Sequence, residues 1–134
     1  MRTALGVLVG IAVCLTAGCG PTALKPRGRV LKDGAPFLPE EGTYVVVLFV
    51  PIQEGGGRAP RFFPAEFNPA DATFQVVGND GKGMPPGRYR VAVEHTRKKQ
   101  DLLKGKFNAE NSPFVREVQN SGDEIVIDLA KPKE

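Results

Sequence analysis

A chain of 134 residues with 41% apolar and 25% charged residues has room for one modest core and is too apolar for wholesale disorder. Sixteen glycines and twelve prolines exclude an all-helical bundle, because both residues interrupt helices, and favour short strands joined by turns. A net charge of +3 is too small for a nucleic-acid-binding face, which needs many phosphate contacts, and no RRM, KH or zinc-finger pattern is present.

Arg2 precedes an uncharged stretch from Thr3 to Leu24, whose apolar part runs from Ala4 to Leu15. A positive start, a short apolar segment and small residues after it form the layout of a secretory signal. The uncharged stretch is long enough to span a bilayer, but its apolar part is short for that, and Gly18, Gly20 and Pro21 would break a helix near its end. The segment Leu15-Thr16-Ala17-Gly18-Cys19 resembles a bacterial lipobox. Small residues at Ala17 and Gly18 admit the extended backbone to a peptidase cleft, and the Cys19 thiol is then the nucleophile that takes a diacylglyceryl group. Thr16 departs from the leucine commonest at that place, and Val13 makes Cys14 a poor rival. The expected organisation is a signal peptide over 1–18, a lipidated N-terminus and short tether over 19–26, and a β-domain over 27–131. Cys19 is the expected lipid-attachment site, which anchors the chain to the bilayer of the cell envelope through acyl groups such as palmitate. No cysteine is then left for a disulfide, a metal or catalysis. Gly20 stands where an Asp would signal inner-membrane retention, which points to the outer membrane. Lys25, Arg27, Arg29 and Lys32 follow, either facing anionic headgroups or standing solvated on a first strand.

The β-domain reads in chain order as about seven short strands. Arg27 to Lys32 is a strand closed by the hairpin signal Asp33-Gly34. Thr43 to Pro51 is β-branched, aromatic and apolar on both faces, which predicts a central strand. Gln53 to Pro60, with three consecutive glycines, reads as a loop. Arg61 to Phe67 is a short strand that Pro64 confines to an edge or bulge. Ala72 to Val77 places Phe74 and Val76 on one face, and Asn79-Asp80-Gly81 is turn chemistry. Met84-Pro85-Pro86-Gly87 is an irregular entry to Arg88–His95, with Gly87 supplying freedom of φ. In that strand Tyr89, Val91, Val93 and His95 point one way, and Arg88, Arg90, Ala92 and Glu94 the other. Thr96 to Gly105 is the one polar insert, helical or looped, and it carries the basic run Arg97-Lys98-Lys99. Pro113 to Gln119 and Glu124 to Leu129 close the domain around the turn Asn120-Ser121-Gly122. Val47, Phe49, Phe74, Tyr89, Val91, Val93, Ile125 and Ile127 are the expected core. Strands of this length and spacing predict an all-β sandwich.

Groups for catalysis are scarce. His95 is the single histidine, and the two serines, Ser112 and Ser121, sit beside Asn in turn-like contexts with no activating motif. Neither a metal site nor a cofactor site is expected. Glu40, Glu41, Asp71, Asp80, Glu94 and Asp101 are scattered, and nothing in their spacing makes an acid–base pair. Asn79-Asp80-Gly81 lacks the further oxygens of an EF-hand and reads as a hairpin turn. Phe62-Phe63 is either core or a binding edge.

Three segments together resemble a family: Gly28-Arg-Val-Leu-Lys-Asp-Gly-Ala-Pro-Phe37, the run Val45 to Pro51, and Phe74 through Gly83-Met-Pro-Pro-Gly-Arg-Tyr-Arg-Val-Ala-Val93. Their order is similar to that of the carboxypeptidase regulatory-like, or transthyretin-like, domain of short bacterial lipoproteins. Lys106-Phe107, Ser112-Pro113-Phe114 and Glu124 to Leu129 extend the likeness to the C-terminus, while Gly55-Gly56-Gly57 and Asn68-Pro-Ala-Asp71 depart from it. The resemblance implies a transthyretin-like or Ig-like β-sandwich and a non-catalytic accessory module. The expected function is that of an envelope lipoprotein, not an enzyme, which binds an envelope protein or glycan or has a structural role. The alternatives are a carrier of a small hydrophobic ligand and a small envelope hydrolase using scattered carboxylates.

Overall fold

In a computed structural model that describes residues 23–53 and 61–132, alternation of apolar and polar residues resolves into strands wherever it was read in the sequence. Nine strands form, and no helix is present among the described residues. They are β1 (Arg27–Lys32), β2 (Ala35–Pro36), β3 (Tyr44–Pro51), β4 (Phe63–Asn68), β5 (Thr73–Val76), β6 (Gly87–Arg97), β7 (Gln100–Asp101), β8 (Val115–Val118) and β9 (Glu124–Asp128). Cys19, the expected signal segment and most of the glycine-rich loop lie outside the described residues.

The strands join into one curled sheet in the order β2-β1-β5-β4-β3-β6-β7, with β8 on β6 and β9 on β1. Every ladder is antiparallel except β1–β9. β3 lies between β4 and β6, the central position expected of it. β6 is the longest strand, and it pairs with β3 from Tyr89 to Thr96, with β8 at its start and with β7 at its end. The curl encloses Val30, Val47, Phe49, Phe74, Val76, Tyr89, Val91, Val93, Phe114, Ile125 and Ile127. All eight expected core residues are buried. Full burial of each such side chain contributes about 1.5–3 kcal/mol. The Phe49 ring centre lies 5.9 Å from that of Phe74 and 6.1 Å from that of Tyr89. The Tyr89 hydroxyl donates to the Pro85 carbonyl four residues back, so Tyr89 points inward as expected and also ties the entry turn to β6.

Two local expectations are narrowed to one of their alternatives, and a third is corrected. Pro64 belongs to β4, an interior strand rather than an edge. Its carbonyl accepts from both Val77 (3.2 Å) and Gly78 (3.1 Å), so the β4–β5 ladder ends there in a bulge-like pair, and the donor proline lacks falls where regular pairing has stopped. The insert 96–105 is not helical: β6 runs on to Arg97, and a two-residue turn at Lys98 and Lys99 leads into β7. The left-handed residue of the entry turn is Gly83 (φ 86°), whereas Gly87 is an ordinary strand residue paired with Val118.

The fold begins ahead of β1. Leu24 and Met84 exchange backbone hydrogen bonds of 2.7 and 2.9 Å, the Lys25 N–H donates to Ser121 Oγ (3.0 Å), and the Pro26 carbonyl accepts from Val76 (2.9 Å). The last three residues of the expected tether are thus held on the body.

Candidate functional site

The outward positions of four adjacent strands make a polar row. Glu66 on β4 stands opposite Gln75 on β5, Gln75 opposite Arg27 on β1, and Arg27 opposite Glu124 on β9. A second row runs Asn68, Thr73, Arg29, Val126. The first row, with Asn68 and Thr73 of the second, the loop Ser121–Asp123 and Pro69, lines an open groove of about 980 Å³. Its floor includes Gly28, Phe67 and Phe74. Arg29 Nε lies 3.1 Å from a Glu124 carboxylate oxygen, both side chains being half exposed, so this ion pair orients the rim more than it stabilises the fold. Amide, hydroxyl, carboxylate and guanidinium groups side by side can hydrogen-bond a polar chain such as a glycan or a peptide. Glu66 and Glu124 start from backbones three strand spacings apart, about 14 Å.

Elsewhere Asp101 and Asp71 hold loops. Asp101 accepts from the N–H groups of His95 (3.1 Å), Leu103 (3.0 Å) and Gly105 (2.9 Å), which fixes the turn after β7. Asp71 accepts from the Thr73 hydroxyl (2.6 Å) and N–H (3.1 Å), and these bonds, the hydroxyl first, hold its carboxyl below the ordinary value. His95 is buried at the far end of β6, with Nε2 2.8 Å from Thr43 Oγ1 and its ring edge-on to Phe37. Ser112 is buried and its hydroxyl donates to the Val91 carbonyl; Ser121 accepts from Lys25. Neither serine hydroxyl is bonded to His95. No group of three His, Cys, Asp or Glu able to hold a metal occurs among the described residues. Asn79-Asp80-Gly81 is a turn in which Asp80 accepts from the Lys82 N–H (3.0 Å).

Lys25, Arg27 and Arg29 all stand exposed, alternating with buried Leu24, Pro26, Gly28 and Val30. Of the Arg97–Lys99 run, Arg97 pairs with Glu40 at 2.7 Å, and Lys98 and Lys99 form the exposed turn. Phe63 is half-buried against Tyr89, whereas Phe62 is exposed. The polar rows were not foreseen. Each strand's outward residues are readable from its alternation, but which strands lie side by side is not. No family model, curated protein or solved structure matches the chain.

Proposed function

We propose that this protein is a lipid-anchored envelope lipoprotein whose β-domain is a non-catalytic binding or structural module. The observation that carries the proposal is the run Leu15-Thr16-Ala17-Gly18-Cys19 at the end of a short apolar segment that follows Arg2. Acylation of Cys19 would anchor the chain in the envelope, and Gly20 favours the outer membrane. The transthyretin-like or Ig-like sandwich is the finer fold assignment. It is supported by the curled all-β sheet and by the Tyr89–Pro85 bond, a hydroxyl tied to a backbone carbonyl four residues upstream, as in the tyrosine corner of many β-sandwiches.

The β4-β5-β1-β9 groove is the binding surface under this proposal, and an envelope protein or glycan is its ligand class. The engagement of Glu124 by Arg29 and the loop-holding roles of Asp71 and Asp101 support binding over hydrolysis. The test has two parts. Mass spectrometry of the protein purified from membranes should find acyl groups on Cys19, and Cys19→Ser should abolish them while Cys14→Ser should not. A pull-down from detergent-solubilised envelope should then recover a ligand that Arg27→Glu with Gln75→Ala releases. An unacylated Cys19 overturns the anchor, and undiminished capture by the double variant overturns the groove.

A further inference from the structure

We propose that the loop end carrying Phe62 is the face this protein lays on an anionic lipid surface, a proposal that rests on Cys19 being the acylated residue. The path of the chain sets the distance. Leu24 is bridged to Met84, so five residue steps lead from Cys19 to the body, about 17 Å at full extension. The headgroup layer alone takes up roughly 5–8 Å of this. The Leu24 end of the body is therefore held within about 9–12 Å of the charged surface, little more than one Debye length of ~8 Å. The other end of β6 lies about 30 Å further along the strand.

The groups at the near end suit such a surface. Asn79 Nδ2 donates to the Phe62 carbonyl (2.7 Å), which ties Phe62 to the turn that also packs on Leu24. The Phe62 side chain is 43% exposed. Beside it Ile52, Phe63, Pro85 and Pro86 line a groove of about 410 Å³, with Arg61 and Arg88 among its walls. Lys25 and Lys82 stand exposed on the same end. Of the acids here, Asp80 is turned back on the Lys82 N–H, Glu117 stands opposite Arg88 across the β6–β8 ladder, and Asp123 lies in the neighbouring groove. An apolar ring edge surrounded by guanidinium and ammonium groups complements an anionic headgroup layer.

The chain contains no tryptophan, so a single introduced one reports its own surroundings. The full protein, matured in cells, is reconstituted in phosphatidylethanolamine vesicles with and without phosphatidylglycerol, as Phe62→Trp and separately as Tyr44→Trp. Tyr44 is the strict control, being 72% exposed at the opposite end. The expected result for Phe62→Trp is a blue-shifted indole emission that spin-labelled lipid quenches when phosphatidylglycerol is present. The emission of Tyr44→Trp should be unaffected. Arg61→Ala or Lys82→Ala, each added to Phe62→Trp, should lower the docked-to-undocked ratio about five-fold, the worth of one cation near such a surface. Acyl groups on Cys19 are read by mass in the same preparation. Their absence overturns the anchor and this orientation with it. Acylated protein in which the Phe62→Trp indole stays unquenched, or the Tyr44→Trp indole is quenched as strongly, overturns the orientation alone.

Discussion

Asp128, the last residue of β9, accepts a 2.9 Å hydrogen bond from the backbone N–H of Gly34, in the turn that ends β1. Its other oxygen accepts from Asp33 and Ala130, both at 2.9 Å. One carboxylate thus fastens the first hairpin to the parallel strand that reaches it from the far end of the chain. Burial pushes this carboxyl up, but the N–H groups of Ala130, Gly34 and Asp33, together with the Lys131 charge, outweigh that and hold it below its ordinary value. A carboxyl that binds its proton more weakly folded than unfolded adds stability at neutral pH. That contribution is lost as pH falls below about 3.9 and through the lowered folded value. Asp128→Asn should therefore lower the melting temperature at pH 7, and the gap to the parent should narrow towards pH 3. A gap that does not change with pH would show that the charge on Asp128 is unimportant.

The Tyr89 hydroxyl bond to the Pro85 carbonyl closes the entry to β6. Tyr89→Phe keeps the ring between Phe49 and Phe63 and removes only the donor. Leaving that carbonyl without its partner should cost about 1–2 kcal/mol in urea unfolding. Burial also raises the phenol above its ordinary value. The parent should then lose stability as pH rises above about 10, where the unfolded tyrosine ionises first, and Tyr89→Phe should lose less. Matching alkaline limbs would count against an inward hydroxyl.

Two glycines exchange the roles their sequence neighbours suggest. A Cβ on Gly28 would fall inside van der Waals contact with the Ile125 carbonyl oxygen and the Phe74 ring, so β1 can approach β9 and β5 this closely only with hydrogen at that position. A Cβ on Gly87 would meet nothing nearer than the Tyr89 ring at 3.7 Å. Gly28→Ala should destabilise by about 1–3 kcal/mol through overpacking. Gly87→Ala should be neutral or stabilise by up to about 1 kcal/mol, because it only restricts the unfolded chain. Equal losses from both would mean that the parallel β1–β9 register is wrong.

Alternation, with the β-branched apolar run of β3, was enough to find every long strand and eight of the buried side chains, because a half-buried strand must place every second side chain inside. Gly28 shows where that logic ends. Its need for a bare Cα comes from Ile125, nearly a hundred positions later, and no local signal marks it. The polar row Glu66–Gln75–Arg27–Glu124 was hidden for the same reason, since it exists only once β5 is inserted between β4 and β1. Pro64 left an edge and a bulge both open, because the choice depends on where a neighbouring ladder stops, which β4 alone does not reveal.

The two tight hairpins give the sharpest contrast between legible and illegible turns. Asp33 (φ 54°) and Gly34 (φ 78°) link β1 to β2, and Lys98 (φ 48°) and Lys99 (φ 67°) link β6 to β7. Both turns have two left-handed central residues, the type that matches strand twist. Asp-Gly announces itself in the sequence; Lys-Lys does not, because a Cβ in the left-handed region clashes with its own backbone. The second turn is held from outside, by Asp101 on the His95 N–H and by the 2.7 Å pair of Arg97 with Glu40. Replacing Lys98-Lys99 by Asn-Gly should relieve the strain and raise stability by roughly 1 kcal/mol or more. Replacing Lys98 by Val, a β-branched residue poorly suited to positive φ, should lower it by a similar amount. The check is urea unfolding of the three proteins at one pH and salt concentration. If Asn-Gly gives no gain and Val no loss, the β6–β7 turn is not left-handed in solution, and the 96–105 insert is looser than the ladder Thr96–Asp101 implies.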